Sequence, residues 1–192
     1  GKIDRAALPA PTPVESTPAR EPATPAEKIL TELLGDALGR TVGDCDVVAF
    51  GRDLQVSYRV WSPKSGYPGH AAYRDFYAHD HATGLKPSRV TGKNVAEADK
   101  APYDPARADA AIDKHVADFV ETVRRRLISE SDRIGRPAHV VAAFDTELYG
   151  HWWHEGPEWL GKVLRALPEA GVQVGTAFAL WNFYLLGRAA VR

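Results

Sequence analysis

Apolar and polar positions divide the second half of the chain into two helical segments separated by a continuous apolar run. Asp104-Pro105 precedes apolar residues at helical spacing, which predicts a helix with Asp104 as its N-cap. Its apolar face comprises Ile112, Val116, Phe119, Val120, Val123 and Leu127. Pro157 opens a second helix that ends at Pro168 and Gly171. Its apolar side comprises Trp159, Leu160, Val163, Leu164 and Leu167.

Three other segments have the pattern of strands. The run "AHVVAAFD" at 138–145 is continuously apolar, which predicts a strand covered on both faces of a parallel sheet. "DVVAFGRDLQVSYRVW" at 46–61 predicts one or two strands with a turn near Gly51, and "VQVG" at 172–175 predicts a short one. Helices and strands alternate from 104 to 175, so we expect an α/β fold with a parallel layer.

The first part of the chain is organised differently. Residues 1–23 include a tract rich in Pro, Ala, Thr and Glu, which predicts a disordered linker. Thr24, Pro25 and Glu27 form a capping box for a short amphipathic helix over 25–38, which needs a partner surface. Residues 62–104 contain many glycines, prolines and polar residues, and we expect a long functional loop there.

Composition narrows the function classes. The net charge is −1, so the chain does not have the large positive charge typical of a dedicated nucleic-acid-binding protein. The longest apolar stretch, "AFALWNFYLLG", is shorter than a bilayer span, so no membrane association is expected. Cys45 is the single cysteine, which excludes an intrachain disulfide, and no secretory signal is present. We therefore expect a cytoplasmic location.

The apolar run at 138–145 ends in a cluster of acids, histidines and tryptophans, "FDTELYGHWWHEGPEWL". Catalytic groups of parallel α/β folds gather at the carboxyl ends of strands, where Asp145 is expected. A carboxylate held partly desolvated there has a raised pKa, which suits a general acid. Asp145 could instead only cap the following turn, and Glu147, two residues on, is the competing acid.

Trp152 and Trp153 leave two interpretations open. Sugar rings pack their C–H faces on aromatic rings, and neighbouring acids and histidines bind hydroxyls, so the cluster suits a carbohydrate cleft. Tryptophans are also common core residues.

A metal site is the weaker interpretation of the histidines. The possible ligands are His79, Asp80, His81, His151 and His154. "HWWHE" is not the HExxH zinc signature, because its glutamate follows the second histidine. We predict neither metal nor cofactor. No histidine lies at a spacing from Cys45 that would indicate a catalytic pair, so a thiol nucleophile is not expected. The arginines at 124–126 are expected to form a solvated helix face.

The same residues resemble a known family. "FDTELYGHWWHEGPEWL", "YRVWSPKSGYPGHAAYRDFY" and "HATGLKPSRVTG" resemble motifs of the 1,4-α-glucan branching enzymes of glycoside hydrolase family 57, over about residues 44–175. The resemblance implies a slice of a distorted (β/α)7 barrel that acts on α-1,4-glucan or maltooligosaccharide with retention of configuration. It assigns the general acid/base to Asp145 and the cleft lining to Trp61, and it places His151, Trp152 and Trp153 near the active site.

The resemblance also implies that half of the catalytic pair is missing. Retaining chemistry needs a second carboxylate roughly 5–5.5 Å from the first. In this family the nucleophilic glutamate lies on an earlier strand, before the resemblance begins, and no sequence here resembles its motif. We therefore expect the chain alone to be inactive.

The chain ends resemble other proteins or none. "GKIDRAALPAP" resembles the end of an adenylation domain of nonribosomal peptide synthetases, and "TPAEKILTELLGDALG" resembles the first helix of a carrier domain. Residues 176–192 resemble neither family, so a chimeric sequence is expected. The alternatives to a branching-enzyme domain are a non-catalytic carbohydrate-binding fragment and a synthetase-derived linker whose helix 25–38 docks on a partner protein.

Overall fold

Three α-helices and the loops between them make up the part of the chain that the structure describes. This computed structural model describes residues 51–92 and 94–175. The helices are α1 (Leu54–Trp61), α2 (Pro105–Ile134) and α3 (Gly156–Glu169). Short 3₁₀ helices lie at Tyr67–Gly69, Glu97–Asp99 and Thr146–Leu148. The predicted linker 1–23, helix 25–38, Cys45 and tail 176–192 lie outside the described residues.

Helix α1 corrects the prediction of strands over 46–61. Asp53 accepts a hydrogen bond from the Val56 amide (3.0 Å) and so caps the first turn. Val56 and Val60 lie four residues apart on one face, and both are buried. β-branched residues favour strands, but here the cap and the burial of a single helical face outweigh that preference.

Helix α2 confirms the helix predicted to begin at Asp104-Pro105. Asp104 accepts from the amides of Ala106 (3.0 Å) and Arg107 (3.3 Å), as expected of an N-cap. Gly135 ends the helix at φ 72°, in the left-handed region that glycine adopts without strain. Three residues of the predicted apolar face are buried: Ile112, Phe119 and Val123. The other three are partly buried and pack against the core: Val116, Val120 and Leu127. The helix thus follows its sequence pattern throughout.

Helix α3 packs against α2 through its tryptophan. Trp159 is fully buried, and its ring meets that of Phe119 edge-on with centroids 5.0 Å apart. Val163 and Leu167 continue the buried face, whereas Leu164 is 47% exposed and was wrongly assigned to it. Gly156 begins the helix close to two aromatic rings, since a Cβ there would lie 3.0 Å from Tyr149 and 3.2 Å from Trp153. A larger residue would have to shift these rings slightly.

The predicted strands at 138–145 and 172–175 are not formed in the described residues. Residues 138–145 form neither helix nor strand, and the amide of Asp53 donates to the Val141 carbonyl (2.8 Å). A strand requires a neighbour that pairs with its backbone along its length, and the described residues supply single bonds only. Val140 and Phe144 still pack against the core. The described residues thus contain the predicted helices of the α/β fold but not the predicted parallel sheet.

The arginines at 124–126 divide into two kinds. Arg124 and Arg125 are exposed, as predicted for a solvated face. Arg126 instead donates from Nε to the Asp53 carboxylate (2.6 Å) and also pairs with Glu130. Arg126 therefore ties α2 to the cap of α1.

The predicted long loop at 62–104 is fixed by its own hydrogen bonds. Asp75, which is 4% exposed, accepts from the amides of Tyr77 and Ala78 (2.7 Å each) and pairs with Lys100. Val90 donates to the Tyr73 carbonyl (2.8 Å). A buried charge is tolerated when it is paired and hydrogen-bonded, and this one holds the loop's two halves together.

A polar cluster joins this loop to α2. Tyr67 donates to Asp118 (2.6 Å), and the Tyr73 hydroxyl lies 2.6 Å from His115 Nδ1. His115 is stacked on Tyr67 at 4.3 Å, and His70 meets its ring edge-on at 4.9 Å. Burial, followed by the nearby His70, lowers the pKa of His115 to about 4. His115 is therefore neutral in the folded chain near pH 7.

The described helices include none that is long and apolar enough to cross a bilayer.

Two substitutions of Asp53 should distinguish the contribution of its N-cap hydrogen bond from that of its ion pair with Arg126. We expect Asp53→Ala to lower the free energy of unfolding by about 1–3 kcal/mol, because it removes both a cap and a partner of Arg126. Asp53→Asn retains a side-chain acceptor for the Val56 amide and should lose less. Urea denaturation measures both, and equal losses would show that the cap contributes nothing.

Acid should destabilise the fold through His115. The unfolded chain takes up this proton near the ordinary pKa of 6.5, but the folded chain takes it up only near 4. The contribution of His115 to stability is therefore complete above pH 6.5 and is lost as the pH drops toward 4, by at most about 1.4 kcal/mol per pH unit. His115→Gln should flatten that slope in urea titrations, and an unchanged slope would contradict the assignment.

Candidate functional site

The segment between 145 and 155 connects the apolar run at 138–145 to α3 and carries the predicted acid. Asp145 precedes the 3₁₀ helix Thr146–Leu148, and its backbone carbonyl accepts from the Leu148 amide (3.1 Å). Its carboxylate makes no side-chain capping bond, and the residue is exposed. Asp145 is therefore open to a ligand, but the partial desolvation expected from the sequence is not seen in the described residues.

We define an aromatic surface as Phe76, Tyr77, His151 and Trp152, of which His151 and Trp152 follow Asp145 closely in the sequence. The rings of Phe76 and Trp152 pack with centroids 4.2 Å apart, and His151 lies 5.1 Å from Phe76 and 5.3 Å from Trp152. Tyr77 is 75% exposed and Trp152 is 42% exposed. The rings thus support one another while leaving apolar faces open to solvent.

Polar groups border the aromatic surface. The Lys86 ammonium lies 3.6 Å from the centroid of the Phe76 ring, a cation–π contact. His151 Nε2 lies 3.7 Å from Glu147 Oε1, so the competing acid of the sequence pattern faces this histidine. Aromatic faces flanked by hydrogen-bonding groups are a common arrangement in ligand sites.

Phe76 and Tyr77 were not among the sequence-predicted site residues. They lie about 75 residues before Trp152, and no periodicity connects the two segments. The available signal was the run "YRDFY", which places three aromatic residues within five positions of the predicted functional loop.

The other two predicted tryptophans lie elsewhere. Trp153 is 1% exposed and packs against Trp159 (5.2 Å) and Tyr73 (5.6 Å). It belongs to the core, which was the alternative interpretation of its pattern, and it has no face open to a ligand in the described residues. Trp61 ends α1 and is 38% exposed, but within the described ranges its ring makes no aromatic contact with the aromatic surface. The structure therefore brings together Trp152 and His151 of the predicted set.

A buried carboxylate supports the aromatic surface from below. Glu155 is 4% exposed, and its Oε1 accepts from the Arg74 amide (3.0 Å), a bond that spans 81 residues of sequence. The Arg74 guanidinium lies 4.1 Å from the centroid of the Tyr103 ring. Burial and the adjacent Glu155 carboxylate raise the pKa of Tyr103 to about 12. Glu155 thus fixes the backbone two residues before Phe76.

The histidines do not assemble a metal site in the described residues. No group of three or more His, Cys, Asp or Glu side chains there could hold an ion. His79 and His81 pack ring to ring at 4.6 Å, and Asp80 accepts from the Thr83 amide (2.8 Å) to form a turn.

Comparison with known proteins gives a consistent result. A probable 1,4-alpha-glucan branching enzyme of Mycobacterium tuberculosis is 78% identical over 145 residues, which are 75% of this chain and 28% of that enzyme. The segment is therefore homologous to 1,4-alpha-glucan branching enzymes, and the chain spans about 28% of the length of these relatives. No protein-family profile matches the chain.

Solved structures agree with the sequence relatives. The GH57 branching enzyme of Thermococcus kodakaraensis, crystallised with glucose, aligns at a TM-score of 0.72 with 35% identity, over 76% of this chain and 26% of that one. The GH57-type branching enzyme of Pyrococcus horikoshii aligns at 0.71 with 31% identity, over 79% and 29%. The described fold is thus similar to part of these GH57 enzymes, which supports the resemblance of the motifs at 44–175 to branching enzymes.

Removing the buried acceptor should loosen the aromatic surface. We expect Glu155→Ala to lower the free energy of unfolding by about 1–3 kcal/mol, because the Arg74 amide loses its acceptor. Acrylamide should then quench tryptophan fluorescence more strongly, as Trp152 loses its packing on Phe76. Glu155→Gln keeps an acceptor oxygen and should stay near wild type. Identical behaviour of the two variants would contradict the role of this hydrogen bond.

Proposed function

We propose that the described part of this chain forms the acid/base side of an α-glucan cleft of the GH57 branching-enzyme type. The observation that carries the proposal is the exposed Trp152, packed on Phe76 and seven residues beyond Asp145, within a segment 78% identical to a branching enzyme. The ligand is an α-1,4-glucan or a maltooligosaccharide.

The aromatic surface supplies the binding part of this proposal. A glucose ring presents axial C–H groups on its flat faces, and these pack on the exposed rings of Trp152 and Tyr77. His151 and Lys86 lie at the border of the rings, where their N–H groups reach sugar hydroxyls. Because Phe76 and Glu155 hold Trp152 and the rest of the aromatic surface in place before a ligand binds, little conformational entropy is lost on binding.

Asp145 supplies the chemical part. In the retaining reaction its carboxyl group protonates the glycosidic oxygen as the bond breaks, and its carboxylate then takes a proton from the incoming hydroxyl group. An exposed carboxylate at the end of the apolar run at 138–145 has the freedom to reach such an oxygen.

A second carboxylate completes this chemistry. It attacks the anomeric carbon and carries the glycosyl group between the two steps. The family resemblance places that glutamate on an earlier strand, and Glu147, which faces His151, is the other acid near the surface. We propose that the chain by itself binds glucan without turning it over, because the nucleophile motif of the family is not found in it.

Trp152 and Phe76 should dominate the affinity for maltoheptaose. We expect Trp152→Ala to weaken binding by roughly tenfold, because loss of a stacked aromatic removes on the order of 1–2 kcal/mol. Phe76→Ala should weaken it less, since Phe76 supports Trp152. Isothermal titration calorimetry measures both. Leu164→Ala removes an equally exposed apolar side chain from α3 and serves as the control; a loss as large in this variant would reject the aromatic surface as the site.

Amylose tests the chemical part separately. We expect the wild-type chain to bind amylose and to form no branches detectable by debranching and chain-length analysis. Branching that disappears in Asp145→Asn would show instead that the chain holds a complete catalytic pair, with Asp145 as its acid/base. Branching that survives in Asp145→Asn would contradict the assignment of Asp145.

A further inference from the structure

A cavity between α1 and α2 is lined by three arginines and, among the described residues, by no carboxylate. Its volume is about 430 Å³, within the range of small-molecule sites, and no residue of the aromatic surface lines it. The lining residues that matter for its chemistry are Tyr58, Arg59, Thr122, Arg125, Arg126 and Ser129. Guanidinium groups stay protonated at physiological pH, so this wall carries positive charge.

Helical spacing brings these side chains together. Thr122, Arg125, Arg126 and Ser129 recur every three or four residues along α2, so they lie on neighbouring positions of one face. Arg59 lies in the last turn of α1, which packs against α2. The two helices therefore supply the arginines of one cavity.

Two of the arginines are held only loosely by their carboxylate partners. Arg59 lies 3.4 Å from Asp118, and Arg125 lies 3.4 Å from Glu121. A charge-assisted hydrogen bond is shorter, at about 2.7–2.9 Å. The side chains of Arg59 and Arg125 are 41% and 63% exposed. Since each guanidinium has five N–H donors, both arginines can donate to a ligand without breaking a short hydrogen bond of the described residues.

The ion pairs around the cavity leave a positive charge over. Glu121 accepts from Arg124 (3.0 Å) and also faces Arg125, so one carboxylate serves two arginines. The other arginines and carboxylates of this network are equal in number: Arg59, Arg126 and Arg133 with Asp53, Asp118 and Glu130. Because Arg125 lines the cavity and Arg124 does not, the excess charge lies at the cavity wall. An anion is the ligand that would balance it.

A buried hydroxyl without a partner points to the same kind of ligand. Thr122 lines the cavity and is 6% exposed, and its hydroxyl has no hydrogen-bond partner in the described part of the chain. A buried hydroxyl that makes no hydrogen bond costs free energy, which an acceptor oxygen of a ligand would recover. Ser129 and the half-exposed Tyr58 add two further hydroxyl donors.

We propose that this cavity binds the phosphate group of a phosphate monoester. Arg59 and Arg125 donate to the phosphate oxygens, since the planar guanidinium fork matches their geometry. The Thr122 hydroxyl donates one more hydrogen bond. The cavity is larger than a phosphate group, so the organic group attached through the ester oxygen lies against the ring of Tyr58, which is 57% exposed. This site needs neither Trp152 nor Asp145, so it does not depend on the proposed function.

Isothermal titration of the whole chain with phenyl phosphate tests the arginines. Arg59→Gln and Arg125→Gln should each weaken binding by roughly tenfold, because each removes charge-assisted hydrogen bonds to the phosphate. Arg107→Gln is the matched control, since it removes the same charge from an exposed position of α2 roughly 27 Å along the helix from Arg125. It should stay within about twofold of the wild-type chain.

Inorganic phosphate distinguishes an ester from the free anion. We expect phenyl phosphate to bind roughly fivefold more tightly than inorganic phosphate, because only its ring contacts Tyr58. Tyr58→Ala should remove this difference and leave the affinity for inorganic phosphate within about twofold. Thr122→Val keeps the shape of the side chain and should weaken both probes by roughly threefold.

Three results would overturn the inference. A wild-type chain that binds neither probe saturably would exclude the site. An equal loss of affinity in Arg107→Gln and Arg125→Gln would show attraction to the overall charge of α2 instead of a site in the cavity. Phenyl phosphate that binds no more tightly than inorganic phosphate would reject the monoester in favour of the free anion. Trp152→Ala should leave phenyl phosphate binding unchanged, so failure of the glucan proposal would not affect this one.

Discussion

The packing of Trp159 is the constraint on which the rest of the described fold depends. Its fully buried ring meets Phe119 of α2 at 5.0 Å and Trp153 at 5.2 Å, and it lies 5.8 Å from Tyr67. One side chain thus joins both long helices, the 62–104 loop and the segment before α3. Removal of a buried tryptophan typically costs several kcal/mol, about 3–5, which is a large share of a small domain's stability.

This packing also determines which of the neighbouring tryptophans, Trp152 and Trp153, is buried. Trp153 turns inward onto Trp159, and Gly156 leaves room for its ring. Trp152 precedes the buried Trp153 directly and points outward, where it is 42% exposed. Trp152 then meets Phe76, whose own position is fixed through the hydrogen bond between Glu155 and the Arg74 amide. The candidate site is therefore an outer layer on the aromatic core.

The sequence by itself determined α2 and α3, because caps such as Asp104 and apolar residues at helical spacing are local signals. It also carried the resemblance to GH57 branching enzymes, because the motif around Asp145 is long and unusual. Only the tertiary structure decided that 54–61 is a helix and that 138–145 forms no strand with the other described residues, since β-branched residues suit either state and a strand depends on its neighbours. Tertiary structure also decided which of Trp152 and Trp153 faces solvent, and that Phe76 joins the site. Those outcomes depend on contacts between segments about 75 residues apart, and no local pattern records them.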